Sequence, residues 1–164
     1  MTDADRVMEF AVFCIENTAI RLGVLGSVVY RVFNEKEGID QFLFPSYETL
    51  HTQSKKYIVD EFLSYLKKGT PPQFIGQIHN GCGSLMFSSH QVTNGLINET
   101  LLQMKYARIV MLLSERLSIS PQQALDIFYN TSTYSYLSQK KYHLHNMSDA
   151  YLVDEIGIEL QNGQ

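Results

Sequence analysis

The sequence predicts an all-α protein built from two related modules of three to four helices each. The first observation is an internal repeat: residues 50–61, LHTQSKKYIVDE, and residues 144–155, LHNMSDAYLVDE, are identical at seven of twelve positions. The second is that apolar residues recur at helical spacing on both sides of the repeat. The third is a nearly uncharged middle segment between the two copies. We therefore predict a helical module at 1–68, a connecting segment at 69–99 and a second helical module at 100–164.

The first helix of each module is predicted from one apolar face. In the first module this face consists of Met8, Ala11, Ile15, Ala19 and Leu22. In the second module it consists of Leu102, Tyr106, Ile109, Leu113 and Leu117. Gly23 is expected to end the first of these helices, because glycine readily adopts the left-handed conformation of a helix C-terminus.

The second helix of each module is predicted from its start signal. Ser27 is expected to cap the helix that buries Val29, Val32 and Phe33. Its counterpart begins more clearly, with Ser120 as N-cap, Pro121 as the first helical residue and Gln123 at the position of a capping box.

The repeated motif predicts the third helix of each module. The motif residues are His51, Ser54 and Tyr57 in the first copy and His145, Ser148 and Tyr151 in the second. The serines are expected to be N-caps, and the tyrosines are expected to join Val59 and Phe62, or Val153 and Ile156, in a buried stripe. Each histidine is expected to bond the backbone of the preceding turn, because a motif present in both modules most simply serves their shared fold. The alternative is one metal ligand or base in each module.

The middle segment differs from the modules in its charge and glycine content. Glu99 is the only charged residue in 69–103, and five of the ten glycines lie there. The segment is expected to form either a short hairpin turning at Asn80-Gly81 or an extended strap. His79, Cys82 and His90 would supply only three zinc ligands where a structural site uses four, so no metal and no cofactor are predicted.

Composition restricts the class of protein. The chain has 164 residues and a net charge of −4, which suits one or two compact units. It has no apolar run long enough to span a membrane, no basic signal-peptide start, and only two cysteines, so a cytoplasmic location is expected. No phosphate loop, nucleophile elbow or metalloprotease motif is present, so no catalytic residues are predicted.

Residues 19–33, AIRLGVLGSVVYRVF, have the arrangement of a helix-turn-helix. A recognition helix should present polar and basic side chains to the bases. Here the second helix offers Tyr30 and Arg31, and its counterpart offers Asp126 and no basic residue. A DNA-binding regulator is therefore the alternative function.

The segments EFAVFCIENTAIRLG and YETLHTQSKKYIVDEFLSYL resemble a small bacterial domain family of unknown function. The second module, through KYARIVMLLSERLSISPQQALDIFYNTSTYSYL and LHNMSDAYLVDEI, resembles another branch of it. Genes of this family often lie beside genes for proteins that resemble ADP-ribosyltransferases. The resemblance implies a non-catalytic, antitoxin-like protein that binds and neutralises such a partner.

A surface that covers a partner would combine steering charges with aromatic anchors. The predicted steering residues are Asp60, Glu61, Asp154 and Glu155. The predicted anchors are Phe44, Tyr134 and Tyr136. A second copy of the chain is a further candidate partner.

Overall fold

The computed structural model describes residues 1–68 and 96–163, and every regular element in these two ranges is helical, which confirms the all-α prediction. The α-helices are α1 (Asp3–Leu22), α2 (Gly26–Glu35), α3 (Tyr47–Leu50), α4 (Lys55–Lys67), α5 (Leu96–Leu117), α6 (Pro121–Asn130), α7 (Ser132–Leu137) and α8 (Asp149–Asn162). A π-helical turn spans Ile39–Leu43, and 3₁₀ turns span Lys140–Tyr142 and Leu144–Asn146. The hairpin predicted at Asn80-Gly81 lies outside the described residues.

The chain divides into two compact units. One comprises residues 10–97, and the other comprises residues 1–9 together with 98–164. The division therefore falls within α1, and we refer to the two as the α4 unit and the α8 unit after the helix that carries the repeated motif in each.

In the α4 unit, α4 buries Ile58, Val59, Phe62 and Leu66. The prediction that Tyr57 joins this stripe is wrong, because 49% of Tyr57 is exposed while its neighbour Ile58 is buried. Tyr151 in α8 is likewise exposed and Leu152 is buried in its place. Val59 and Phe62 in α4, and Val153 and Ile156 in α8, are buried as predicted, so only the tyrosine position of each stripe is wrong.

The core of the α8 unit is aromatic. The rings of Tyr106, Phe128, Tyr129 and Tyr134 are all buried. Their centroids lie 4.9–5.6 Å apart, in tilted or edge-to-face pairs. Such contacts stabilise by about 0.5–1.5 kcal/mol each beyond the burial of area.

The ends of α1 and α5 have the same geometry. Gly23 has a φ of 69°, and the N–H of Val24 donates to the carbonyl of Ala19 at 3.0 Å. Ser118, at an offset of 95, has a φ of 52°, and the N–H of Ile119 donates to the carbonyl of Ser114 at 3.1 Å. Gly23 ends its helix as predicted, whereas Ser118 adopts the left-handed conformation without glycine's freedom.

The predicted helix starts are confirmed at three of four positions. Ser54 and Ser148 are N-caps, and Ser120 and Gln123 form a full capping box. The prediction for Ser27 is wrong, because α2 already begins at Gly26 with Leu25 at the N-cap and no side-chain cap. Leu25 is buried, so burial of an apolar side chain takes precedence over capping at this helix start.

Across the two described ranges, no single helix has the length and apolarity needed to cross a membrane. The pair α1 and α2 passes that test by length and composition when taken together, but the two helices are bent by 111° at the break between them.

Candidate protein-binding surfaces

The seven residues predicted to bind a partner are divided between the two units. Phe44, Asp60 and Glu61 belong to the α4 unit. Tyr134, Tyr136, Asp154 and Glu155 belong to the α8 unit. They therefore contribute to two surfaces, and each surface is described by itself.

The first surface is the α4 face, which we define as Tyr57, Asp60 and Glu61. Tyr57 and Glu61 are exposed and lie one helical turn apart, so both side chains are on the same side of α4. Asp60 is half-buried beside them. Neither acid forms an ion pair within the part of the chain that the structure describes. The face thus combines a large exposed ring with two carboxylates that form no ion pair in the described residues.

Ser54 explains why Tyr57 occupies this position. The backbone N–H of Tyr57 donates to Ser54 Oγ at 3.3 Å and so completes the N-cap. The phenol ring makes no contribution to that bond. The fold therefore uses the backbone of Tyr57 and leaves its ring at the surface.

His51 is held by the turn that precedes it. Its Nδ1–H donates to the carbonyl of Tyr47 at 2.6 Å, and its ring stacks on the Tyr47 ring at 4.5 Å. Tyr47 in turn contacts Phe10 edge to face at 5.5 Å. His145 differs, because its Nδ1 is buried and has no hydrogen-bond partner within the described residues. The two repeated histidines therefore have unlike surroundings.

An aromatic stack fixes the C-terminal half of α4. The Tyr65 ring lies parallel to Phe42 at 4.2 Å and to Phe33 at 5.6 Å. A Cβ built on Gly38 would lie only 2.8 Å from Tyr65 Cε1, so this close approach requires glycine. Sequence reasoning missed the stack, although a lone glycine beside an aromatic-rich stretch is the signal that could have indicated it.

Lys36 secures the same end of α4. Its Nζ donates to the carbonyl of Leu66, in the last turn of α4, at 2.6 Å and to the carbonyl of the C-cap residue Lys68 at 3.0 Å. Burial lowers the pKa of the Lys36 amino group. The carbonyl contacts complement the negative end of the helix dipole and hold α4 in place.

Phe44 follows the π-helical turn and is half-buried. Its N–H donates to the carbonyl of Ile39 at 3.1 Å, which closes the turn. Part of its ring remains accessible, so it stays a predicted contact residue.

In the α8 unit the prediction for Tyr134 is wrong. Tyr134 has no exposed surface and packs against Tyr106, Phe128 and Tyr129. Its N–H donates to Thr131 Oγ1 at 3.2 Å, because Thr131 is the N-cap of α7. Tyr134 is a core residue and cannot contact a partner in this fold.

Asp154 is not a free steering charge. It forms an ion pair with Arg116 of α5. Nearby, Asp149 accepts hydrogen bonds from Lys105 Nζ and Arg108 Nε, both at 2.8 Å. Burial opposes ionisation of Asp149, but the hydrogen bonds from Arg108 and Lys105 hold the pKa of its carboxyl below the usual value. These pairs join α5 to α8.

Glu155 interacts with Tyr151, a residue of its own helix α8. Its negative charge and its hydrogen bond to the Tyr151 hydroxyl raise the pKa of that phenol. The pair occupies the position in α8 that Tyr57 and Glu61 occupy in α4, at an offset of 94.

Glu159 caps α7 from a distance in sequence. Its carboxylate accepts from the N–H of Ser132 at 2.5 Å and from the N–H and hydroxyl of Thr133 at 3.0 and 2.9 Å. Burial opposes ionisation, but these bonds hold the pKa of the Glu159 carboxyl below its usual value. The carboxylate also complements the positive end of the α7 dipole. This contact was not predicted, because its two sides are 27 residues apart.

Tyr136 is exposed, as a contact residue must be. It is 47% exposed and meets Tyr142, which is 44% exposed, edge to face at 5.0 Å. Lys141 Nζ lies 4.7 Å from the centre of the Tyr142 ring. The two rings and this lysine form a small cluster at the surface of the α8 unit.

The residues considered for a metal site, a reactive thiol or a DNA contact lie in different parts of the chain. Within residues 1–68 and 96–163 no three His, Cys, Asp or Glu side chains come together as a metal site. His79, Cys82 and His90 lie outside the described residues. Cys14 is buried, and burial raises the pKa of its thiol well above the usual value. The prediction that α2 offers Tyr30 to DNA is wrong, because Tyr30 is buried.

The comparisons with known proteins concern mainly the α4 unit. Residues 9–69 match the model of a family described as a protein of unknown function, DUF3791. The match includes the first copy of the repeated motif and the whole α4 face; the second copy, at 144–155, lies outside it. No curated protein matches the chain, and no solved structure matches it.

Proposed function

We propose that this chain is a non-catalytic, cytoplasmic protein-binding module that neutralises an ADP-ribosyltransferase-like protein in the manner of an antitoxin. The observation that carries the proposal is the α4 face, which lies in the segment that matches the family model. The partner class comes from the gene neighbourhood of the family that the sequence resembles. The proposed mechanism is steric: the α4 face covers the partner's active cleft.

The exposed ring of Tyr57 supports a binding role. The N-cap uses only the backbone N–H of this residue, yet the side chain is a tyrosine that is about half exposed. Tyrosine is enriched at interface hot spots because it buries a large area with few rotatable bonds. A partner that covers this ring would remove apolar surface from water without any change in the fold.

The charges of Asp60 and Glu61 support a basic partner surface. Neither is neutralised by an ion pair in the described ranges, unlike Asp154. Unpaired surface carboxylates accelerate the association with a positively charged partner and contribute less to the final affinity. We therefore expect these residues to act mainly on the association rate.

We also propose that the two units are copies of one module. The shared left-handed residue at 23 and 118 and the shared serine N-caps at 54 and 148 support this interpretation. Two linked modules would raise the effective concentration of the second binding event once the first has formed. The tyrosine of the second copy, Tyr151, would then be its contact residue.

The test begins with an affinity pull-down from the native host, with mass spectrometry of the proteins that co-elute. The bait is the full chain, compared with the double variant Tyr57→Ala/Glu61→Gln. Ser64→Ala, an exposed change on the same helix, is the matched control. Tyr151→Ala/Glu155→Gln reports whether the second copy contributes. Circular dichroism of each variant verifies that it is folded.

We expect a stoichiometric ADP-ribosyltransferase-like partner that the wild type and Ser64→Ala retain and that Tyr57→Ala/Glu61→Gln loses. The purified chain should also inhibit transfer of ADP-ribose by that partner. Retention of the partner by the double variant would contradict the role of the α4 face. If no protein co-elutes, and the chain instead retards the DNA upstream of its own gene in an electrophoretic shift assay, the DNA-binding regulator would be favoured. Arg31 is the basic residue that α2 would offer to that DNA.

A further inference from the structure

A second surface, in the α8 unit, has the opposite charge. No acidic residue occurs between Thr131 and Ser148, whereas Lys140 and Lys141 lie at its centre. We call the exposed residues Tyr136, Lys140, Lys141 and Tyr142 the basic–aromatic turn. In a chain with a net charge of −4, this is a local region of positive charge.

The lysines of this turn are distinguished by their lack of ion pairs. The other side-chain cations of the α8 unit each lie within 4 Å of an aspartate; they are Arg6, Lys105, Arg108 and Arg116. Lys140 and Lys141 form no ion pair in the described part of the chain. No acidic side chain there neutralises their charge; Lys140 is exposed, and Lys141 Nζ lies 4.7 Å from the centre of the Tyr142 ring.

The backbone of the turn is well held. The side-chain amide of Gln139 donates to the carbonyl of Ser135 at 2.9 Å. Two consecutive 3₁₀ turns follow, joined at His143, which has a φ of 56°. Together these features hold the backbone of Lys140, Lys141 and Tyr142, so that binding has mainly to order the lysine side chains.

We propose that the basic–aromatic turn binds single-stranded nucleic acid. Phosphates would contact Lys140 and Lys141, and an unpaired base would stack on the exposed ring of Tyr136 or Tyr142. The two rings are nearly perpendicular, at 82°, so one base can stack on only one of them. A peptide of acidic residues alone would satisfy the lysines and leave both rings uncovered. Two lysines and one aromatic pair match a contact of about two nucleotides. This surface is separate from the α4 face, so the proposal does not depend on the proposed function.

The test is fluorescence anisotropy with a labelled seven-nucleotide RNA, its DNA equivalent and a duplex of the same sequence. The full chain is titrated at several salt concentrations. The variants are Lys140→Gln/Lys141→Gln and Tyr136→Leu/Tyr142→Leu. Lys67→Gln/Lys68→Gln is the matched control, because these lysines are also adjacent and exposed but belong to the α4 unit.

We expect the single strand to bind with an affinity that falls with salt, and the lysine variant to reduce the slope of log K against log salt by about 1.4, or about 0.7 per phosphate contact. The tyrosine variant should keep the slope and lose about fivefold or more in affinity. The control should bind like the wild type.

The proposal would be overturned if the duplex bound as tightly as the single strand, or if Lys67→Gln/Lys68→Gln lost as much affinity as Lys140→Gln/Lys141→Gln. It would also be overturned if polyglutamate displaced the strand and Tyr136→Leu/Tyr142→Leu bound the strand like the wild type. Absence of binding at low salt would overturn it as well. Partner capture through the α4 face is measured separately, so either proposal can fail while the other stands.

Discussion

Replacement of Gly38 by alanine should destabilise the α4 unit, although alanine usually stabilises helical backbone. Gly38 has a φ of −69° and a ψ of −20°, a conformation that alanine adopts without strain. The obstacle is space. The new Cβ would lie 2.8 Å from Tyr65 Cε1 and 2.9 Å from Phe33 Cδ1.

The size of the effect follows from these distances. Carbon atoms in contact are normally about 3.5–4.0 Å apart, so each ring must move by roughly 0.6 Å or more. Tyr65 cannot simply retreat, because Phe42 stacks on it at 4.2 Å. Overpacking of this kind costs about 1–3 kcal/mol, and the reduced freedom of the unfolded chain offsets about 0.4–1 kcal/mol. We expect a net loss of about 1–2 kcal/mol, or roughly 2–8 °C in the Tm of this 164-residue chain.

The assay is urea unfolding followed by circular dichroism, with peptide-level hydrogen exchange to locate the loss in α4. The control is Gly157→Ala in α8, where a Cβ meets nothing within 4 Å, so it should gain about 0.5–1 kcal/mol. In a Tyr65→Ala background the cost of Gly38→Ala should fall, because one of the two clashes is gone. The reasoning is refuted if Gly38→Ala stabilises like Gly157→Ala, or if its cost is unchanged without the Tyr65 ring.

Three further predictions concern the helix ends. Glu159→Gln should lower the free energy of unfolding by about 1–2 kcal/mol in urea titrations, because a neutral amide replaces a carboxylate that caps α7; an unchanged midpoint would contradict the cap. The folded-state pKa values of Asp149 and Glu159 lie below the unfolded values of 3.8 and 4.5, so their stabilisation is complete above those values and is lost as the pH falls through the folded-state values. The free energy of unfolding measured from pH 7 to pH 2 should therefore decline at the acid end, and it should decline less in Glu159→Gln. An equal decline in the wild type and in Glu159→Gln would contradict the stabilising role of the Glu159 carboxylate. Ser120→Ala should cost about 1 kcal/mol and Ser27→Ala less than about 0.5 kcal/mol, since only Ser120 caps a helix; equal midpoint shifts would show that capping does not distinguish them.

Several features of the fold could be predicted because they depend on neighbours in sequence. The N-caps at Ser54, Ser120 and Ser148 require only a side chain that reaches a backbone N–H three residues on. The left-handed residue Gly23 ends α1 for an equally local reason. Ser27 shows the limit of this approach, because α2 begins at Gly26, one residue before the predicted cap, with the buried Leu25 at the N-cap.

The candidate site was predicted less well, because exposure and charge pairing depend on distant residues. Tyr134 and Tyr136 are both aromatic and only two residues apart, so their helix positions differ by about 200° and one is in the core while the other is exposed. The direction of the core could not be read from this short helix. Asp154 likewise resembled Asp60 in sequence, yet only Asp154 has an arginine from α5 beside it.

The sequence by itself thus determined the helical class, the starts of α4, α6 and α8, and the repeated serine–tyrosine motif, since these follow from apolar spacing and hydrogen bonds within one or two turns. Only the tertiary structure decided that the motif tyrosines are exposed, that Glu159 caps a helix 26 or 27 residues away, and that Lys140 and Lys141 form no ion pair within residues 1–68 and 96–163. The physical reason is that helix packing brings together side chains whose separation along the chain leaves no local pattern.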